Sequence, residues 1–326
     1  MHKRSKIWVI GDASMDLVPD DQLHYLKCPG GAAANVAVCV ARLGGECGFI
    51  GRLGLDPVGH FLAQTLRREQ VDIGQLTLDP TLKTAVLIVD LNAEGERSFS
   101  YLVTPSADSF VCDDDLPAFA AGQWFYFNSI GLARQPSRSA CLLGAQRIRQ
   151  AAGNVLFDVN LREAMWEQPA EITAQIEQAI ALADICKISA DELCQLSGHA
   201  DWHSARYWVR DRGCATTVIS LGAEGAYLLH QGQEIHYPAV AATVVDTTGA
   251  GDAFVGGLLH QLAQQPAWQT QSLDAALRAA NFCGAAAVTR KGAMTALPDA
   301  AELIAFHSSQ TTASSQQGDL HDRELR

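Results

Sequence analysis

Residues 246–252 read Asp-Thr-Thr-Gly-Ala-Gly-Asp, and the helical pattern of Ala253–Leu262 follows directly. Glycines 249 and 251 let the backbone approach a ligand closely, because they carry no Cβ atom. The start of a helix leaves N–H groups unpaired, and the helix dipole favours an anion there. Asp252 adds a carboxylate that can accept the proton of an attacking hydroxyl, as phosphoryl transfer requires. The segment therefore predicts a site for phosphoryl transfer.

A second glycine-containing segment enters a helix nearer the N-terminus. Residues 29–35 read Pro-Gly-Gly-Ala-Ala-Ala-Asn. The backbone can approach a ligand at Gly30-Gly31, and Asn35 offers both donors and an acceptor to hydroxyl groups. Asp16 follows the first predicted strand, and open α/β sheets bind ligands at the carboxyl ends of their strands. We interpret these residues as a site for a hydroxylated substrate.

The remaining sequence alternates short β-type runs with amphipathic helical stretches. This alternation is typical of βαβ units and predicts an α/β fold, with a Rossmann-like, mostly parallel sheet and helices on both faces. The predicted strands are Lys6–Asp12, Cys47–Leu53, Gln123–Ser129, Val155–Asn160, Ile185–Ser189 and Thr217–Leu221. The predicted helices are Ala32–Leu43, Val58–Glu69, Arg138–Ala152, Ile172–Ala183 and Ala205–Arg212. A later hairpin around Gln231-Gly232 predicts an antiparallel edge.

Two segments do not fit the βαβ alternation. Thr84–Leu91 and Glu96–Val103 flank Asn92-Ala93-Glu94-Gly95 and predict a hairpin without a helix. Asp16–Leu26 also fits no βαβ unit. We expect both segments, about residues 13–29 and 84–105, to form a small β-sheet lid on a single domain that spans residues 1–306. Residues 307–326 are rich in Ser, Gln and Thr and are predicted to form a disordered tail.

The bulk properties restrict the partners of the protein. The net charge of −12 at pH 7 excludes a nucleic-acid partner, because phosphate backbones bind basic surfaces. No apolar stretch has the length of a membrane span, and the run Ile7–Ile10 is too short for the apolar region of a signal peptide. Nine cysteines without a CxxC pair are typical of a reducing compartment. The sequence therefore predicts a cytoplasmic enzyme with a small-molecule substrate and no membrane partner.

Other nucleotide-binding classes lack their sequence motifs. The chain contains no GxxxxGK[ST] run, which excludes the P-loop class. The first strand is followed by Gly11-Asp12-Ala13-Ser14-Met15-Asp16, which lacks the GxGxxG fingerprint of NAD-linked oxidoreductases. A nucleotide-binding regulator without catalysis is a further alternative, but it would need a replaced Asp252 or a broken Gly-Ala-Gly turn.

Gly30-Gly31 with Asn35, together with the string at 246–252, resemble the two signatures of the ribokinase-like, or PfkB-type, carbohydrate kinase family. The resemblance runs from about residue 6 to Pro298. Three further runs are similar to the bacterial fructokinase branch of the family: Gly44–Gly51, Gly95–Phe99 and Lys291–Pro298. The resemblance implies a ribokinase-like fold and an ATP-dependent kinase that phosphorylates the primary hydroxyl of a furanose-type substrate.

The resemblance also implies a role for each matching residue. Asp252 would be the general base, with the amides of Gly249, Ala250 and Gly251 as the anion hole. The implied substrate-binding residues are Asp16, Gly31, Asn35, Tyr101 and Arg162. The implied nucleotide-binding residues are Lys187, Glu192, Gly222, Gly225 and Asn281. A monovalent cation would be bound, largely through backbone oxygens, by Asp246, Thr248, Ala287, Arg290 and Gly292.

The cofactors implied by the resemblance are ATP, Mg²⁺ and K⁺, and the implied assembly is a homodimer formed through the lid. Glu192 would organise water around Mg²⁺. The chain departs from its relatives here, because Ser189-Ala190-Asp191-Glu192 stands where many of them carry Asn-x-x-Glu. Serine can bond a water molecule but reaches less far than asparagine, so the role of Ser189 is open.

The lid sequence bears on the choice of substrate. Residues 98–103 alternate, so Phe99, Tyr101 and Val103 share the face that would close over the pocket. A tyrosine can stack on a flat heteroaromatic ring and place its hydroxyl on a polar edge. Similar fructokinases tend to carry phenylalanine at the position of Tyr101. We therefore expect an aminoimidazole riboside as the substrate, converted to its 5′-phosphate, with fructose as the alternative.

Overall fold

The computed structural model of the chain describes residues 5–21, 23–91, 97–264, 270–306 and 308. The strands in chain order are β1 (Ile7–Ile10), β2 (Ser14–Pro19), β3 (Tyr25–Gly30), β4 (Cys47–Gly54), β5 (Asp72–Asp79), β6 (Ala85–Leu91), β7 (Arg97–Tyr101), β8 (Trp124–Asn128), β9 (Asn154–Asp158), β10 (Ile185–Ser189), β11 (Thr216–Ser220), β12 (Ala226–His230) and β13 (Gln233–Tyr237). The α-helices are α1 (Ala32–Arg42), α2 (Pro57–Arg68), α3 (Ser137–Gln150), α4 (Ile172–Leu182), α5 (Ala190–Ser197), α6 (Trp202–Ala205), α7 (Ala250–Leu262) and α8 (Thr270–Ala287).

Nine strands form the central sheet, in the order β13-β12-β11-β10-β9-β8-β1-β4-β5. The pairs from β11 to β5 are parallel, whereas β12 and β13 are antiparallel to their neighbours. The predicted mostly parallel sheet and its antiparallel edge are therefore confirmed. Because parallel strands share one direction, their carboxyl ends meet along a single edge, where ligands bind in open α/β sheets.

Helices cover both faces of this sheet and form two hydrophobic cores. Ile7 and Val9 of β1 belong to the core that contains residues of α1, α2, α7 and α8. Trp8 and Ile10 belong to the opposite core, with residues of α3, α4 and α5. Strands buried on both faces read as continuous apolar runs. Polar side chains that follow the strands, such as Asp12, therefore lie at the strand ends and not in the core.

A separate sheet of four strands, in the order β3-β2-β6-β7, forms the predicted lid. β2 pairs with β3 and, in parallel, with β6, while β6 and β7 form the expected hairpin. The predicted hairpin turn at residues 92–95 lies outside the described residues, as does the side chain of Phe99. The predicted tail 307–326 also lies outside them, apart from Ser308.

The helix expected over Ala205–Arg212 is wrong. The chain forms the short α6, then turns, and only a 3-10 turn at Arg210–Arg212. The Tyr207 hydroxyl donates to Glu234 of β13, and Trp208 and Val209 are buried in the hydrophobic core against which Tyr207 also packs. The hydrogen bond to a distant strand and the burial of these neighbouring residues hold the segment in turns instead of a continuous helix. Strand β5 and helices α5 and α8 are further elements that the sequence patterns did not reveal.

No helix among the described residues is long and apolar enough to cross a membrane.

Candidate active site

The turn at 249–252 lies at the N-terminus of α7, as predicted. Gly249 precedes the helix with φ of 75°, a left-handed conformation that disfavours other residues. A Cβ atom on Gly249 would lie 2.9 Å from Ala293 Cα, so the loop before α7 packs directly against the loop after α8. Ala250, Gly251 and Asp252 form the first turn of α7, where the N–H groups have no partner within the helix.

Asn35 of α1 contacts the Asp252 carboxylate directly. The Nδ2 atom of Asn35 donates to Asp252 Oδ2 at 2.8 Å. Asn35 is buried in the first turn of α1, and that turn is held by Asp12 at the end of β1. The backbone amides of Ala32 and Ala33 donate to Asp12 Oδ2 and Oδ1 at 2.7 and 3.2 Å. The structure thus brings the two glycine-containing segments together at Asp252.

Asp12, and not Asp16, occupies the end of β1. Asp16 lies within β2, in the lid sheet, where its Oδ1 accepts from the Ser14 hydroxyl at 2.7 Å. The interpretation of Asp16 as a residue directly after a strand end is therefore wrong, because β1 ends at Ile10 and the chain then enters the lid. The signal for Asp12 was available, since it lies two residues after an apolar run that stops abruptly at Gly11.

The environment of Asp252 changes its acidity. Asp252 is partly buried at the cleft wall, and removal from water raises the pKa of its carboxyl to about 7. The donor Asn35 opposes this rise in pKa, Asp158 and Asp12 add repulsion, and Arg162 gives a weaker attraction. A carboxyl with a pKa near neutrality can both accept and release a proton at physiological pH.

A buried ion pair lies beside the anion-hole turn. Lys187 Nζ of β10 lies 3.0 Å from Asp158 Oδ1, and both side chains are buried. Although burial favours the neutral amine, Asp158 and Glu192 raise the pKa of Lys187, so the ammonium stays charged. A Cβ atom on Gly251 would lie 3.8 Å from Lys187 Nζ. Positive charge therefore lies next to the backbone amides of the turn.

A cavity of about 630 Å³ opens from this turn toward α8 and β12. Four of the predicted nucleotide-binding residues are on its wall: Lys187, Gly222, Gly225 and Asn281. The remainder is mostly apolar, from Ala239–Ala242, Val244, Phe254 and Val288, and the wall includes Ala250 and Gly251 of the anion-hole turn. Asn281 Nδ2 also donates to the carbonyls of Tyr237 and Pro238 at 3.0 and 3.1 Å, which fixes the segment after β13.

Glu192, the fifth residue predicted to bind the nucleotide, does not line this cavity. Its Oε1 accepts from the Leu161 amide at 2.7 Å and its Oε2 from the Ser189 amide at 2.8 Å. The Ser189 hydroxyl accepts in return from the Glu192 amide at 3.2 Å, which completes a capping box at the start of α5. Ser189 therefore has a structural role as the helix cap. Glu192 ties α5 to the loop that carries Arg162.

The residues predicted to bind a monovalent cation lie in two loops that contact each other. Asp246 Oδ1 accepts from the Thr248 amide at 2.9 Å, and Oδ2 accepts from the Gly292 amide at 2.8 Å. The Asp246 amide donates to the Val288 carbonyl at 3.2 Å, next to Ala287 at the end of α8. The Arg290 side chain turns away and pairs with Glu302. These loops adjoin Gly249, so they support the anion hole.

Tyr101 ends the lid strand β7 and is half-buried. Burial raises the pKa of its hydroxyl, and its charged neighbours are Arg162, Asp12, Asp16 and Asp108. Asp108 is itself buried, and its desolvation raises the pKa of its carboxyl to about 6. The lid thus places an aromatic hydroxyl opposite Asp12 and Arg162. Sequence reasoning missed Asp108, for which no local motif gives a signal.

Comparison with known proteins identifies the family. The family model described as pfkB family carbohydrate kinase matches residues 4–300. The chain belongs to the PfkB family of carbohydrate kinases. It is 59% identical to the aminoimidazole riboside kinase of Salmonella typhimurium, over 96% of this chain and 98% of that protein. It is 48% identical to a fructokinase of Klebsiella pneumoniae, over 90% of this chain and 96% of that protein.

Solved structures of PfkB kinases show the same architecture. The aminoimidazole riboside kinase of Salmonella enterica, complexed with aminoimidazole riboside and an ATP analogue, matches with a TM-score of 0.89 and 58% identity, covering 93% of this chain and 99% of that one. A fructokinase double mutant of Vibrio cholerae, with fructose, ADP and potassium ion bound, matches with a TM-score of 0.89 and 46% identity, covering 93% of this chain and 98% of that one. The chain is therefore an ATP-dependent kinase with a ribokinase-like fold.

Proposed function

We propose that this kinase transfers the γ-phosphoryl group of ATP to the 5′-hydroxyl of an aminoimidazole riboside, with Asp252 as the general base. The observation that carries the proposal is the position of the Asp252 turn. On one side, Ala250 and Gly251 line the 630 Å³ cavity. On the other, Asp252 contacts Asn35 and lies near the charged groups that surround Tyr101 of the lid.

The cavity suits a nucleotide. Its mostly apolar wall accommodates a flat base, and the Lys187 ammonium and the N-terminal turn of α7, with Ala250 and Gly251, lie on the same wall. In phosphoryl transfer the protein supplies positioning and electrostatic stabilisation, and the metal ion neutralises charge on the phosphates. A Mg²⁺ ion bound to the phosphates of ATP would keep several water ligands, and Glu192 would accept a hydrogen bond from one of these water molecules.

The environment of Asp252 supports a role in accepting the proton of the substrate hydroxyl. With a pKa raised to about 7, a substantial fraction of the carboxyl is ionised at neutral pH and can accept that proton. Asn35 holds one carboxylate oxygen at 2.8 Å, which leaves the other oxygen to meet the hydroxyl. Arg162 lies at the open side of the cleft, where its guanidinium can contact the substrate or the transferred phosphate.

The riboside is favoured over fructose by Tyr101 and by the higher identity to a riboside kinase. The test is kcat/KM for aminoimidazole riboside and for fructose, in the wild type and in Tyr101→Phe. Loss of one neutral hydrogen bond should lower riboside kcat/KM about 2–10-fold and leave fructose unchanged. Tyr207→Phe is the matched control, because it removes the hydroxyl of a tyrosine that bonds Glu234, outside the lid and the cavity.

Fructose is the second candidate, because fructokinases of several bacteria share 42–48% identity with this chain. Both substrates present a primary hydroxyl, so the Asp252 chemistry is the same for each. A wild-type preference for fructose, or an unchanged preference in Tyr101→Phe, would contradict the riboside assignment and favour fructokinase activity.

The loops at 246–248 and 287–292 support a proposal that K⁺ binds there and stabilises the anion hole. The two loops are joined by hydrogen bonds to the Asp246 carboxylate and to the Val288 carbonyl, and hard cations prefer oxygen ligands. The Vibrio cholerae fructokinase structure holds a potassium ion.

We also propose a homodimer through the lid, where Leu23, Tyr25, Leu26 and Leu102 are exposed. Light scattering that gives only the 35.0 kDa monomer would contradict the dimer.

We propose a cytoplasmic location on the basis of the cysteines. All nine are free thiols, and most of them are buried as small apolar groups. Fractionation of the cells that contain the protein tests this assignment, and recovery with secreted proteins would contradict it.

A further inference from the structure

The side-chain amide of Asn35 bonds the Asp252 carboxylate through its nitrogen, whereas its oxygen has no hydrogen-bond partner among the described residues. Nδ2 donates to Asp252 Oδ2 at 2.8 Å, between residues that are 217 positions apart in the chain. Asn35 is 3% exposed. Its Oδ1 has no hydrogen-bond partner among the residues that the structure describes. A buried acceptor without a donor is costly, so such an atom points to a ligand or water that completes it.

We propose that Asn35 is a positioning residue for the general base. Its Nδ2 holds the Asp252 carboxylate in the ionised form and orients the second oxygen toward the substrate, while its Oδ1 accepts a hydrogen bond from a substrate hydroxyl. One amide group thereby couples occupancy of the substrate pocket to the state of the base. The inference rests on the proposed role of Asp252 and gives Asn35 a task beyond substrate binding.

The surrounding packing holds this amide in place. The first turn of α1 is fixed by the hydrogen bonds of its amides to Asp12. One turn further along α1, the Cys39 thiol donates to the Ala253 carbonyl of α7 at 3.6 Å. A Cβ atom on Gly256 would lie 2.5 Å from Cys39 Cβ, so the two helices are in direct contact. Asn35 and Asp252 are therefore held together by two rigid elements.

The charges around Asp252 make this donor important. The neighbouring ionisable groups come from four strands and the loops that follow them: Asp12 after β1, Tyr126 of β8, Asp158 of β9, Arg162 in the following loop and Lys187 of β10. The carboxylates disfavour a further negative charge, whereas the lysine and arginine favour it. After burial, the Asn35 hydrogen bond has the largest influence on the pKa of Asp252, and it lowers that pKa. Removing the donor should therefore make Asp252 harder to ionise.

The test is the pH dependence of kcat/KM from pH 5.5 to 9.5 in the wild type, Asn35→Leu and Asn35→Ala. Leucine keeps the branched heavy-atom skeleton of asparagine but is bulkier, and alanine removes the amide without adding bulk. The free energy of a hydrogen bond to a charged group corresponds to a change of about one to two units in pKa. The acid limb of the kcat/KM profile should therefore move to higher pH by that amount. Because about half of the wild-type Asp252 is ionised at pH 7, the rate there should fall about 5–50-fold, and the deficit should shrink toward pH 9.5. The substrate KM should rise, because Oδ1 is also lost.

Cys39→Ala is the matched control, since it disturbs the same helix contact without touching the carboxylate. Its acid limb should coincide with that of the wild type. A rate deficit in both Asn35 variants that is equal at every pH, with Asp252→Asn inactive, overturns the inference and leaves the proposed function intact. An active Asp252→Asn enzyme instead overturns the proposed role of the base.

Discussion

Asp252→Asn should stabilise the folded protein while it abolishes turnover. The substitution keeps the size of the side chain, and the new amide oxygen can still accept from Asn35 Nδ2. It removes a negative charge from a site that burial, and to a lesser degree Asp158 and Asp12, make unfavourable for one. Activity should fall by a factor of 10²–10⁴, the usual contribution of a positioned base. Stability should change in the opposite direction.

The magnitude follows from the pKa. A carboxyl whose pKa rises from about 4 in the unfolded chain to about 7 in the fold disfavours its ionised form by about 4 kcal/mol. Asp252 keeps one face open to the cleft, so water screens part of this effect, and about 2 kcal/mol is the working value. In a chain of this length that corresponds to an increase of about 3–6 °C in Tm.

The sign depends on pH. Between pH 4 and pH 7 the folded wild type binds more protons at Asp252 than the unfolded chain does, because the folded pKa is the higher one. The contribution of Asp252 to the free energy of unfolding therefore falls as pH rises. Above pH 7 the wild type bears the full cost of holding the ionised carboxylate in the fold. The asparagine variant avoids that cost. Its advantage in Tm should be about half as large at pH 5.5 as at pH 8.5.

The assay is calorimetric or fluorescence-monitored unfolding at both pH values, with Asp115→Asn as the control. Burial opposes ionisation of Asp115, but Arg52, the Cys112 amide and the Thr77 hydroxyl lower the pKa of its carboxyl. Stability from Asp115 is therefore present above its unfolded pKa and lost as pH falls, so Asp115→Asn should lower Tm at pH 8.5. An Asp252→Asn protein that is no more stable than the wild type at pH 8.5, or whose advantage grows toward low pH, refutes the reasoning.

Three further predictions concern the anion hole and its supports. Gly249→Ala should lower kcat at least about 10-fold with little effect on the substrate KM. Alanine is strained at a φ of 75°, and its Cβ atom would meet Ala293. Unchanged steady-state kinetics would contradict this prediction. Lys187→Met should raise the KM for ATP and lower the free energy of unfolding by about 3–5 kcal/mol, since Asp158 would remain buried without its partner. Denaturant unfolding measures this free energy. An unchanged free energy of unfolding would exclude a stabilising ion pair between Lys187 and Asp158. Replacing K⁺ with tetramethylammonium at constant ionic strength should lower kcat or ATP affinity, and an unchanged rate would exclude the cation site at Asp246.

Much of the fold could be predicted because its signals are local. The alternation of apolar runs and amphipathic stretches follows from the geometry of strands and helices, and it predicted the parallel sheet and the lid. The turn at Gly249–Asp252 is equally local, since a glycine-rich entry to a helix is written in adjacent residues. The helix at Ala205–Arg212 failed because contacts of Tyr207 with Glu234 on a distant strand override the local pattern.

The sequence by itself determined which chemical groups are present and which local turns carry them, because propensity and capping act over a few residues. Only the tertiary structure decided which of those groups meet. The contact of Asn35 with Asp252, the pair of Lys187 and Asp158, and the place of Asp12 at the end of β1 all depend on the strand order β10-β9-β8-β1. No local pattern encodes that order, because it results from how the two helical layers bury the sheet as a whole.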